Sequence, residues 1–207
     1  SLSAIVIFAL VRVIGGTTAG LFSAILFSVS IPLLIRSPLG WFKSEPLGIF
    51  FSLLFVYLLL SGINSKNKKI AFIKLVGSGI FTIFSISAWG GNQFFIIPIG
   101  ILFLTLPFLR TDHKFIIWAI PVYTISAILI SFMFERVNIS ELWGIALIVS
   151  TLFLVSCIFI QNKSSKNKQR NGLLFLISLL ITTVVVFTIP SDSNFLPFPT
   201  HRYLNAI

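Results

Sequence analysis

The chain has 207 residues, of which 57% are hydrophobic and only 10% charged, and its mean hydropathy is +1.05. Water-soluble domains run near ~25% charged, so the composition excludes an ordinary soluble fold and defines a membrane protein. The net charge of +10 would point to nucleic acid in a soluble chain, but here the basic residues sit in short loops between apolar runs, where they report orientation, and no nucleic-acid partner is expected.

The chain starts Ser1-Leu2-Ser3 and is inside an apolar run by Ala4, without the charged n-region or cleavage site of a signal peptide. It is expected to be an internal piece of a longer protein. About eight apolar runs follow, most of them near the ~20 residues that a helix rising ~1.5 Å per residue needs to cross ~30 Å of hydrocarbon. They cover residues 2–13, 17–35, 47–62, 70–89, 94–109, 115–134, 139–160 and 173–189, the first being short. The runs lack the alternation of a barrel and are too long for its strands. The fold class is therefore all-α, a polytopic transmembrane helical bundle, with residues 1–207 expected to form a single transmembrane domain.

Within the runs, Gly16-Thr17-Thr18-Ala19-Gly20 places small residues four apart, which suits close helix packing. Trp41, Trp89, Trp118 and Trp143 fall near run ends, as an aromatic belt would place them. Pro98 and Pro121 are candidates for helix kinks. The segments 64–69 and 162–170 read as solvated Lys/Asn/Ser turns. Cys157 lies alone in an apolar run, so neither a disulfide framework nor a thiolate metal site is expected.

Orientation follows from the loops. If every run crosses, Arg12, Lys66, Lys68, Lys69, Lys74, Arg110, Lys114, Lys163, Lys166, Lys168 and Arg170 share one side, which is 11 of the 15 basic residues. That side is cytoplasmic by the positive-inside rule. The opposite side carries Glu45, Glu135, Glu141 and Asp192. Apart from Lys74 and Arg12, both near the cytoplasmic edge, and Glu141 at the outer end of its run, the runs hold no charged side chain. A proton- or ion-coupled carrier usually has one at mid-membrane, so the chemistry is expected at the outer rim.

The outer loop 36–45 is the stretch equipped for that chemistry, with a carboxylate, two cations and two aromatics between apolar runs. Arg36-Ser37-Pro38-Leu39-Gly40-Trp41-Phe42-Lys43-Ser44-Glu45 resembles the second acidic-motif loop of the oligosaccharyltransferase catalytic subunit, the membrane enzyme of N-glycosylation. The family's pattern there runs Arg-Ser/Thr-x-x-Gly-x-Tyr/Phe-Asp-x-Asp/Glu/His, and this chain departs from it only at Lys43. Ser87-Ala88-Trp89-Gly90-Gly91, followed by Phe94, resembles the family's Ser-x-Trp-Gly-Gly turn two spans later. His201-Arg202-Tyr203-Leu204-Asn205-Ala206-Ile207 is similar to the segment that opens the family's large external loop, especially in archaeal-type sequences, placing the start of that loop at 190–207.

The resemblance implies part of a GT-C-type glycosyltransferase membrane domain, in a multi-pass protein of the cell membrane surrounded by membrane lipid. The reaction it implies moves a glycan from a lipid-linked polyprenyl or dolichyl phosphate or pyrophosphate donor to Asn in Asn-x-Ser/Thr acceptors. The implied partners are a lipid-linked oligosaccharide and an acceptor polypeptide, and the implied cofactor is Mg²⁺ or Mn²⁺, which favour oxygen ligands. Glu45 takes the second acidic position and is expected to be catalytic as a metal ligand. As a residue alone it reads first as an acid favoured at a helix start, and the resemblance brings the two readings level. Arg202 is expected at the donor phosphate, or as a juxtamembrane charge, and Arg36 at the donor headgroup or as an interfacial anchor. Trp89, Gly90 and Gly91 are expected to shape a turn beneath the site. Lys43 stands where the family has an aspartate, and an ammonium repels a divalent cation. Four readings stay open for Lys43: a metal site built from other carboxylates, a direct contact to donor phosphate, a degenerate inactive paralogue, and an interfacial lysine snorkelling to headgroups. The alternatives for the whole chain are another polyprenyl-phosphate-sugar-dependent membrane glycosyltransferase, or a non-catalytic lipid or solute carrier. The piece by itself is expected to be inactive.

Overall fold

The computed structural model describes residues 2–30, 44–110, 112–163 and 168–188, with residues 163, 168 and 182–188 described by their backbone alone. These form α1 (Leu2–Ser28), α2 (Ser44–Ile63), α3 (Lys68–Ala88), a 3-10 helix (Gly90–Phe95), α4 (Ile96–Leu109), α5 (His113–Ser131), α6 (Leu142–Lys163) and α7 (Lys168–Thr188). The described residues contain no strand. Six stretches are long and apolar enough to cross a membrane: Leu2–Ser28, Ser44–Ile63, Lys68–Ala88, Gly90–Leu109, His113–Ser131 and Leu142–Asn162.

The first of these is not a straight rod. In an unbroken helix Phe8 and Gly20 would lie ~18 Å apart, yet a Cβ on Gly20 would stand 2.9 Å from the Phe8 carbonyl oxygen. The chain therefore doubles back at Gly16, whose φ of 84° and ψ of −179° are non-helical and lie where an L side chain is strained. Residues 2–15 and 17–28 are the two arms of a tight helical hairpin, matching the separate runs expected from the sequence. The small residues after the turn let the arms close: Gly20 is buried against Phe8.

The chain divides into two compact units, Ser1–Ile158 and Phe159–Ile207. In the first, α1 packs on α2, α2 on α3, and α3 on α5. α6 joins through the Thr124–Thr151 hydroxyl pair at 2.7 Å. Among the described residues the second consists of the last turn of α6 and α7, whose apolar stretch Gln169–Ile181 overlaps the run expected at 173–189.

The polarity of the first unit is that of a protein dissolved in lipid. Ser52, Ser78, Thr82, Ser85, Asn92, Thr124 and Thr151 are buried, while Ile73, Phe94, Ile101, Ile125, Leu129 and Leu152 face outward. The buried hydroxyls tie helices together: Ser52 to Ser85 at 2.6 Å, Ser78 to the Phe55 carbonyl at 2.8 Å, and Thr82 to the Tyr123 hydroxyl at 3.0 Å. Such bonds and small-residue contacts hold helices together where lipid removes the hydrophobic drive.

The two ends of this unit are chemically distinct. Arg110 donates to the Asn64 side chain, and Lys74 donates to Ser61 at 2.6 Å, which brings the basic turns 64–69 and 110–114 to one end. At the other end the ring of Phe134 packs edge-on against Phe84, with centroids 5.6 Å apart. The segment with Glu135 and Glu141 therefore shares an end with Trp89.

Two sequence expectations fail. Trp143 belongs to no belt, because it is fully buried within the hydrophobic core. Pro98 lies in the first turn of α4, where a missing N–H leaves no helical bond unmade. The interior prolines are Pro107 in α4 and Pro121 in α5, and both helices run on through them.

Candidate functional site

The site grows from the way α3 stops. Trp89 takes an extended backbone (φ −150°, ψ 114°), and its N–H still bonds the Ser85 carbonyl at 3.1 Å. The chain then re-enters a 3-10 turn at Gly90, where the Asn92 N–H reaches the Trp89 carbonyl at 2.9 Å. The indole lies back across Gly91: a Cβ there would stand 2.8 Å from two of its ring atoms. Gly90 meets nothing within 4 Å of its own Cβ position. Of the glycine pair, sterics demand only Gly91.

This turn is locked to the start of α2. The Asn92 side-chain amide donates to the Ser85 carbonyl at 3.0 Å, and the Ser85 hydroxyl donates to the Gly48 carbonyl at 3.2 Å. Ser85 having spent its proton, Ser52 donates to it in turn. Gly48 is what lets the elements touch, since a Cβ there would collide with the Asn92 amide nitrogen and stand 2.9 Å from Trp89 Cβ.

Glu45 lies in the first turn of α2, three residues ahead of Gly48 and so ~4.5 Å further along the helix. Ser44-Glu45-Pro46 starts this helix, with proline where its missing N–H is harmless and a carboxylate where the dipole favours it. The structure thus brings the Glu45 turn, Trp89 and Gly91 to one end of the bundle. Arg36, Lys43 and Arg202, with Trp41 and most of the loop 36–45, lie outside the described residues, as does the segment 190–207.

Sequence reasoning missed Asn92 and Gly48. Asn92 is 1% exposed, and its side-chain oxygen accepts no hydrogen bond among the described residues. An amide following Trp-Gly-Gly and preceding a 14-residue apolar helix was the available signal. Truncating Asn92 to alanine is expected to release the turn from Ser85 and cost about 1–3 kcal/mol, the usual loss for a buried hydrogen-bonding group. Thermal unfolding of the full-length protein in detergent measures it.

A divalent cation needs about six oxygens, with Mg²⁺ taking several of them from water. Among the described residues no group of three or more His, Cys, Asp or Glu comes together. These residues alone do not make a metal centre, and Glu45 would be one contributor to a larger set.

An all-helical bundle with six stretches long and apolar enough to cross a membrane defines a polytopic membrane protein. The chain belongs to the family whose model is described as Oligosaccharyl transferase STT3, N-terminal, which matches residues 1–191. The match stops short of Arg202. No curated protein and no solved structure matches the chain.

Proposed function

We propose that this chain forms part of a membrane oligosaccharyltransferase that moves a glycan from a lipid-linked phosphate or pyrophosphate donor to the side-chain amide of Asn in Asn-x-Ser/Thr. What carries the reading is the family match over 1–191, joined to the lock that sets the Glu45 turn beside Trp89 and Gly91. Residues 1–207 are read as one transmembrane domain, with its basic turns cytoplasmic and the Glu45 end outside.

The chemistry asks two things of that end. An amide nitrogen is a poor nucleophile, and the donor's phosphate leaves with negative charge. Stabilising such a developing charge is the largest service a site of this kind performs. Arg202 and Arg36 are assigned to the donor phosphate, and Lys43 is read as a third phosphate contact, because an ammonium suits an anion and repels a metal ion. Glu45 is assigned as one carboxylate of a shared Mg²⁺ or Mn²⁺ set. Trp89, Gly90 and Gly91 act beneath the site by fixing where α2 begins.

The test is transfer by the full-length protein from a lipid-linked oligosaccharide to a labelled Asn-x-Thr peptide, read as a gel shift. Transfer is expected, with none to the Gln-x-Thr peptide and none by residues 1–207 alone. Transfer of sugar to a lipid or saccharide in place of the peptide would favour the other polyprenyl-phosphate-sugar glycosyltransferases.

A further inference from the structure

At the basic end, between the 2–15 arm of α1 and the side of α2, lies a recess of about 360 Å³ lined by Phe8, Ala9, Arg12, Val13 and Tyr57. Its two polar groups are a guanidinium and a phenol. Among the described residues neither has a hydrogen-bond or ion-pair partner, and no carboxylate lines the recess. The remaining wall is apolar, and Ile5 and Ile14 of the same arm are exposed. Tyr57 stands seven residues before Asn64, at which the basic turn begins, and so ~10 Å inside that end.

An unpaired guanidinium within an apolar wall is an unfavourable arrangement unless an anion or water reaches it. We infer that this recess holds the phosphate of an anionic membrane phospholipid, with its acyl chains lying along Phe8, Ala9 and Val13. A guanidinium presents a planar fork that matches two phosphate oxygens, and the Tyr57 hydroxyl supplies a third donor. Charge complementarity favours an anionic headgroup over a zwitterionic one, because Lys66, Lys68, Lys69, Lys74, Arg110 and Lys114 crowd the same end. The apolar lining favours a lipid over free phosphate, which would leave Phe8 and Val13 uncovered. The recess is separate from the proposed catalytic end: Glu45 precedes Tyr57 by 12 residues of α2, ~18 Å along the axis. The inference is independent of the transferase reading.

Native mass spectrometry of the full-length protein in detergent, titrated with phosphatidylglycerol or phosphatidylcholine, tests it. One phosphatidylglycerol is expected to bind at least tenfold more tightly than phosphatidylcholine and to resist 10 mM inorganic phosphate. Arg12→Ala is expected to remove that preference. Arg12→Lys retains part of it, with a point charge in place of a fork, and Tyr57→Phe weakens binding a few-fold. Equal binding of the two lipids, undiminished preference in Arg12→Ala, or displacement by inorganic phosphate overturns the inference. Arg12 is exposed, so its replacement leaves the fold intact. Should Arg12→Ala still fail to purify, the Arg12→Lys and Tyr57→Phe titrations decide: affinities equal to the parent's refute the site.

Discussion

Replacing Glu45 with alanine in the full-length enzyme is expected to lower glycan transfer by about 10²-fold or more, the scale on which a single charge-stabilising group counts. The protein should meanwhile lose no more than about 2 kcal/mol of stability, the most a half-buried first-turn acid contributes through the helix dipole. The two magnitudes separate the two readings of this residue. If Glu45 only favours the start of α2, Glu45→Ala shifts the thermal midpoint slightly and leaves turnover near that of the parent. If it is part of the chemistry, Glu45→Ala keeps its midpoint and loses turnover, and Glu45→Gln does the same although its shape is preserved. A requirement for added Mn²⁺ that rises in Glu45→Asp would tie the loss to cation binding. Transfer by Glu45→Ala within threefold of the parent sinks the catalytic assignment. The Gly48 carbonyl held by Ser85 and the Trp89 packing against Gly48 also hold the start of α2, and Glu45→Ala leaves both contacts in place.

How far the sequence disclosed this arrangement depends on the range of the interactions involved. The apolar runs were legible because each helix must span the same thickness of hydrocarbon. The described helix bounds accordingly fall within a few residues of the runs from α2 onward. The Gly15-Gly16 break was legible as a gap between runs, since a backbone angle that excludes side chains leaves a mark in sequence. The placing of two basic turns at one end and the Glu135–Glu141 segment at the other was legible too, as the Arg110–Asn64 and Phe84–Phe134 contacts show. Contacts between helices left no such mark. Gly48 reads as an ordinary small residue in an apolar run until Asn92 is seen against it, 44 positions away. Trp143 near a run end looks like an interfacial anchor until its neighbours enclose it. Lys43, conspicuous as a residue type in its motif, lies outside the described residues.

Gly79→Val is expected to be the most damaging single glycine change at a helix–helix crossing in the described bundle, at or beyond the upper end of the about 1–3 kcal/mol that overpacking usually costs. α3 and α5 cross there so closely that a Cβ on Gly79 would stand 2.8 Å from both the Ala127 nitrogen and the Tyr123 carbonyl oxygen, and would collide with the Ser126 hydroxyl. A side-chain obstacle could rotate away, but two of these three atoms are backbone. The helices must therefore separate, which stretches the Thr82–Tyr123 bond and opens the packing around Ile83, Ile120 and Ala127. Lipid supplies no hydrophobic pressure to close that gap again. Two substitutions calibrate the effect. Gly77→Ala places its Cβ 3.5 Å from Leu58 Cδ1, an ordinary contact, and gains up to about 1 kcal/mol of helix propensity, so it should be neutral or stabilising. Tyr123→Phe removes one interhelical hydrogen bond and should cost near the ~0.6 kcal/mol average for such bonds in a membrane protein, because Thr82 keeps its bond to the Ser78 carbonyl. Thermal unfolding of the three full-length variants in one detergent gives the order. A midpoint for Gly79→Val no lower than that of Tyr123→Phe would mean that the α3–α5 crossing is not where the bundle is tightest.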